Sequence, residues 1–162
     1  MYRSARRTFT TAVAVAGALA ATAAGATPAG AAAPVQKADA DVTSGAFHLT
    51  FHATRRADQA PSTAKGTFDA WTSGGPYTLM HLAGPVTCLD VRGNHVGLFY
   101  PIASSSPSLF SKINSGVLIS LTVDGNGHAT AVQFLPVPVT HVSSCAPLPT
   151  LLPATGSATL VS

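Results

Sequence analysis

Glutamate is missing from this sequence altogether, and only 9% of its residues carry a charge. All six acidic residues are aspartates, and just three lysines, Lys37, Lys65 and Lys112, are present. These are shortages of the side chains that favour exposed helices, so an α-helical surface is excluded in favour of strands and turns. Tryptophan occurs once and cysteine twice, which excludes a multi-cysteine zinc module or a dense disulfide scaffold. The sequence also implies no cofactor.

The net charge of +3 over the 162 residues is unevenly placed. Arg3, Arg6 and Arg7 precede an uncharged, alanine-rich run from about Thr10 to Ala33, the layout of an export leader. Small-x-small sites after Ala26, Ala31 or Ala40 offer places to cut, and the expected division is a leader over 1–40 and one exported domain over 41–162. Arg6-Arg7-Thr8-Phe9 also matches a twin-arginine pattern, except that Thr10 stands where leucine is usual. A run so rich in Ala, Thr and Gly at the N-terminus reads as leader rather than anchor, leaving no membrane span after processing.

Beyond Ala40, Arg55, Arg56, Lys65, Arg92 and Lys112 face Asp41, Asp58, Asp69, Asp90 and Asp124. That balance leaves no electrostatic footprint for nucleic acid or anionic lipid. The remaining length is that of one domain.

The strongest local signal is Pro85 to Tyr100. Gly93-Asn94 suits a two-residue hairpin turn, since glycine accepts the positive φ needed at its first position. Apolar residues on both parities of the flanking runs predict strands covered on both faces. Elsewhere Ala46–Thr54 alternates cleanly, with Phe47, Leu49, Phe51 and Ala53 on one parity and His48 and His52 on the other. Gly66–Thr72 (Phe68 and Ala70 inward), Tyr77–Leu82, Val117–Val123, Ala129–Leu135 and Ala158–Val161 complete the strands. Ala103–Ser108 reads as a serine-rich surface loop, and Pro136 and Pro138 mark an edge or connector. The expected fold class is all-β: a single-domain antiparallel sandwich or small barrel of about seven to eight strands with one disulfide.

The leader places Cys88 and Cys145 in an oxidising compartment, where the two pair. This pattern resembles a loose family of small exported β-proteins of actinobacteria. The similar features are Val86-Thr87-Cys88-Leu89-x-Val91, the Gly93-Asn94 turn, the late Cys145, the Gly45-Ala46-Phe47 opening and Lys65-Gly66-Thr67-Phe68. Pro136 to His141 departs from the loop that usually ends the late strand in such proteins. The resemblance implies a fold and a compartment, and supplies no catalytic residues.

Chemistry-bearing motifs are sparse. His48 and His52 lie about 13 Å apart on a strand, too far to share one ion. Asp124-Gly-Asn-Gly-His128 opens like a calcium loop, but Ala129 and Leu135 occupy the positions where glycine and an acid are required. No nucleophile-elbow pattern is present. Leu152-Pro153-Ala154-Thr155-Gly156 matches a sortase recognition motif without the apolar segment and basic tail that normally follow it.

Three function classes stand. The leading one is a non-catalytic exported domain binding an extracellular ligand or protein, with Trp71, Tyr77, Phe99 and Tyr100 as its ligand face. The second is a small barrel hydrolase or isomerase working around His95 and Asp90. The third is an inhibitor or toxin-like partner of another exported protein, acting through the Ala103–Ser108 loop. One consequence is directly measurable: the intact mass should fall short of the reduced mass by two hydrogens, and alkylation of both thiols without prior reduction would refute the pairing.

Overall fold

Chain direction reverses at short glycine-bearing turns and strands alternate inward and outward, so the polypeptide builds two antiparallel sheets. In the computed structural model the described residues are 32–72, 80–106, 108–112 and 114–162. Eleven strands run through them: β1 (Val35–Ser44), β2 (Phe47–Arg56), β3 (Lys65–Thr72), β4 (His81–Pro85), β5 (Cys88–Arg92), β6 (His95–Pro101), β7 (Ser104–Ser106), β8 (Gly116–Val123), β9 (Ala129–Val137), β10 (Leu152–Pro153) and β11 (Thr155–Val161). One sheet has the order β11-β1-β2-β3-β4-β7 and the other β10-β9-β8-β6-β5. A sandwich results. Among the described residues helical structure is confined to single turns at Pro61–Thr63 and Leu109–Lys112.

The sheets are stitched together where strands cross between them. Val86 N–H donates to Gly66 O of the first sheet at 3.0 Å, and Thr87 N–H donates to Phe99 O of the second at 2.9 Å. Ile102 N–H bonds Ser115 O at 3.0 Å, and Ala103 N–H bonds Ala83 O at 2.9 Å. At the third crossing β10 pairs with β9, Ala154 N–H bonds Thr130 O at 3.1 Å, and β11 pairs at once with β1. Such bends let one strand serve both layers and join sheet edges that would otherwise be open.

The central hairpin forms as its sequence predicts. Val91 faces Val96 across the turn, Gly93 has φ +60, and no positive φ occurs at Asn94, the pattern of a type II′ turn. The inner faces of β5 and β6 contribute Leu89, Val91, Val96, Leu98 and Tyr100 to the main core. Their outer faces are also buried, because the irregular segment 138–151 crosses them as a strap. Cys145 of the strap is bonded to Cys88 of β5, with Phe99 packed beside the sulfurs. Further along, Leu148 N–H donates to Ser120 Oγ at 2.8 Å, and the Thr150 and Thr122 hydroxyls lie 2.8 Å apart. Gly97 makes the crossing possible: a Cβ there would lie 2.0 Å from Cys145 O.

One end of the sandwich is closed by a polar network. Gln36 Nε2 donates to Val91 O at 3.1 Å, and its Oε1 accepts from Val91 N–H at 3.3 Å, which mimics a strand pair on the edge of β5. Arg55, inward-facing and 8% exposed, donates to Gln36 Oε1 and to Gln59 O.

Three expectations change. Position 41 falls inside β1, so the sandwich reaches back to Val35. The sequence signal for that strand is weak because its inward residues are Gln36, two alanines, Val42 and Ser44, with no large apolar side chain among them except valine. Within the Ala103–Ser108 stretch, expected as a surface loop, Ser104–Ser106 pairs with β4 as an edge strand. The extra strands β1, β7 and β10 raise the number to eleven among the described residues.

The strap and the disulfide are predicted to be energetically coupled. Replacing both Cys88 and Cys145 by alanine should cost about 2–5 kcal/mol in urea unfolding. Gly97→Ala should cost about 1–3 kcal/mol with the disulfide intact. Without the disulfide it should cost less, by roughly 0.5 kcal/mol or more, because the strap is then free to lift. Strict additivity in this double-mutant cycle would contradict the arrangement.

Candidate ligand-binding cavity

At the end opposite the Gln36–Arg55 network the inner faces of the two sheets line a cavity of about 610 Å³. Inward alternation decides which residues reach it. The first sheet supplies Phe47, Phe68, Ala70 and Leu82, with Met80 just before β4. The second supplies Tyr100, Val117, Phe134 and Pro136, and Ile102, Ser115 and Pro138 extend the wall beyond the strand ends. Phe68 and Tyr100 stack across the sheets with ring centroids 3.8 Å apart and planes at 16°. Phe47 and Phe134 lie 5.8 Å apart at 37°, and Phe47 is 37% exposed. The small inward residue Ala70 leaves space that a larger side chain would fill.

The wall is almost wholly apolar. Among the described residues its polar side chains are the Tyr100 phenol and the Ser115 hydroxyl, and Tyr100 is the one titratable group. Burial pushes the Tyr100 phenol well above its ordinary pKa, so it stays protonated throughout the physiological range. A concave apolar pocket with few convergent polar groups is the usual form of a small-molecule site.

The expected ligand face is not assembled. Tyr100 lines the cavity, but its neighbour Phe99 points to the opposite side of β6 and is buried beneath the strap with Cys88 and Cys145. Consecutive strand residues face opposite ways, so the two could never share one surface. Trp71, one residue after inward Ala70, lies on the outer face of its sheet, edge-on to His48 at 4.1 Å. Tyr77 lies outside the described residues. Phe47, Phe68 and Phe134 build the cavity in their place. Their inward parity is readable in the sequence, but nothing there separates an end that packs solidly from one that stays open.

His95 and Asp90 form no catalytic pair. Asp90 Oδ2 accepts from Arg92 Nε at 3.0 Å and Nη2 at 2.8 Å, and His95 Nδ1 lies 3.0 Å from Thr122 Oγ1. Both sit on the outer face of the second sheet, remote from the cavity in chain direction and in layer. Asp124 Oδ1 accepts from the N–H groups of Asn126 and His128, both at 2.8 Å, and these bonds hold its carboxyl below the usual carboxylate range. The aspartate is thereby committed to its own turn. Among the described residues no three metal-ligating side chains converge. No helix among them is long and apolar enough to cross a membrane.

The sortase-like match is part of the fold. Leu152 and Pro153 form β10, Ala154 is buried at the crossing, and Thr155 and Gly156 pair with Thr43 and Val42. An enzyme needing this segment extended and free would first have to strip β11 from β1.

Comparison with protein-family models, with curated proteins and with solved structures found no match to this chain.

The outer face of the first sheet carries paired histidines and aspartates. His48 Nε2 lies 2.6 Å from Asp41 Oδ1, His81 Nε2 lies 2.8 Å from Asp69 Oδ2, and His52 is bonded to Asp39. Asp39 also meets Lys37 at 2.7 Å. Partial burial pushes its carboxyl up, but hydrogen bonds from Lys37 and His52 outweigh this and hold it below the usual range. A depressed native pKa stabilises the fold above the unfolded value of about 3.9, and that contribution is lost as the pH falls through the native value. Asp39→Asn is therefore expected to cost about 0.5–1 kcal/mol near neutrality, the range of partly exposed pairs. Urea unfolding should show this gap closing toward the acid end, and a gap independent of pH would contradict the assignment.

Proposed function

We propose that this protein is an exported, non-catalytic β-sandwich that binds a small apolar molecule outside the producing cell. The observation carrying the reading is the apolar cavity of about 610 Å³ held between the two sheets by Phe47, Phe68, Tyr100 and Phe134. Its size lies within the roughly 300–1,000 Å³ range of small-molecule sites. The aromatic lining offers a large apolar contact area on side chains with few rotatable bonds.

Export is supported by the leader-like N-terminus and by the Cys88–Cys145 disulfide, a bond suited to an oxidising compartment. The resemblance to exported actinobacterial β-proteins favours the same compartment. The start of β1 bears on processing: a cut after Ala26 or Ala31 leaves the strand whole, whereas a cut after Ala40 removes its first six residues, Val35–Ala40, and with them the Gln36 network.

Recovery from the culture medium tests both parts. The protein is expected there with an N-terminus at or before Pro34, and solvent extraction followed by mass spectrometry should release an apolar compound in near-stoichiometric amount. Retention of the unprocessed chain inside the cell would overturn export. A protein that carries no such compound and also fails to bind a neutral apolar fluorophore would overturn the binding role.

A further inference from the structure

The distribution of buried charge narrows the ligand class. Inside the sandwich the one buried charged side chain among the described residues is Arg55, and it lies on the same face of β2 as Phe47. Eight residues separate them, about 26 Å at strand rise. Its two Nη atoms donate to Gln59 and Gln36, and its buried Nε has no partner among the described residues. The other buried charged residue, Asp90, sits beneath the strap on the outside of the second sheet and pairs with Arg92. Among the described residues the cavity wall itself holds no lysine, arginine, histidine or carboxylate.

Resting on the binding role above, we infer that the cavity selects neutral apolar molecules and discriminates against anionic amphiphiles such as fatty acids. An ionised carboxylate drawn into this end would lose its hydration without meeting a cation. An alcohol of the same chain length buries the same hydrocarbon, and its hydroxyl can bond to the Tyr100 phenol. The phenol remains a neutral donor because burial disfavours its ionisation.

The test uses the full chain with N-phenylnaphthylamine as a neutral fluorescent probe, and decanol and decanoate as competitors at about pH 8, where the acid is fully ionised. Decanol is expected to displace the probe, and decanoate to require about tenfold or more higher concentration. Met80→Lys places a flexible cation at the cavity wall and should narrow or reverse that ratio. Ala70→Phe, which fills the space, should weaken the probe and decanol together. Equal or better competition by decanoate in the unaltered protein would overturn the neutral-ligand inference while leaving the cavity as the binding site. Failure of both probe and decanol to bind, or binding untouched by Ala70→Phe, would overturn the binding role itself.

Discussion

The structure depends on covering both faces of the β5–β6–β8 layer. Its inner face packs against the opposite sheet, as in any sandwich, but its outer face carries Cys88, Phe99 and Leu118, which cannot be left in water without cost. The strap 138–151 supplies the cover. It has no ladder of its own, so its position rests on the disulfide, on bonds to Ser120 and Thr122, and on the missing side chain at Gly97. Closing a loop of 57 residues in sequence separation restricts the unfolded chain, which the chain-entropy account values at roughly 4 kcal/mol. For a domain of this size that is a substantial share of net stability.

The three strand crossings give the sandwich unlike ends. Near Gln36 and Arg55 the layers are tied by side-chain bonds to the edge of β5, and that end is shut. At the other end the chain leaves β6 at Pro101, crosses at Ile102–Ala103 and returns to β4. The residues facing one another there include Ala70 as well as large rings, and they do not fill the gap. Strand geometry and the choice of small residues thus produce the cavity together.

The outer face of the first sheet shows a different economy of charge. Aspartates on β1 and β3 stand beside histidines on β2 and β4, so the few acids present are met by close partners across the ladder. Cross-strand pairs of this kind stabilise register on a wet face where apolar packing gives no guidance.

Much of this was legible in the residues alone. Alternation marked the cores of β2, β3, β6 and β8, the Gly93-Asn94 turn marked the central hairpin, and an even cysteine number marked the disulfide. Apolar residues on both parities announced that β5 and β6 are covered twice. What covers them was invisible, because the strap has no periodicity and meets the hairpin only through contacts far apart in sequence. β1 was hidden by its small and polar inward residues. The four aromatics of the expected face do not come together for a related reason: strand parity separates Phe99 from Tyr100 and turns Trp71 outward beside inward Ala70, and it does not say which end of a sandwich stays open. Local pattern determines which face of a strand is dry. Only the folded chain decides which strands meet, because that choice is made by long-range packing and by where chain crossings hold the two layers apart.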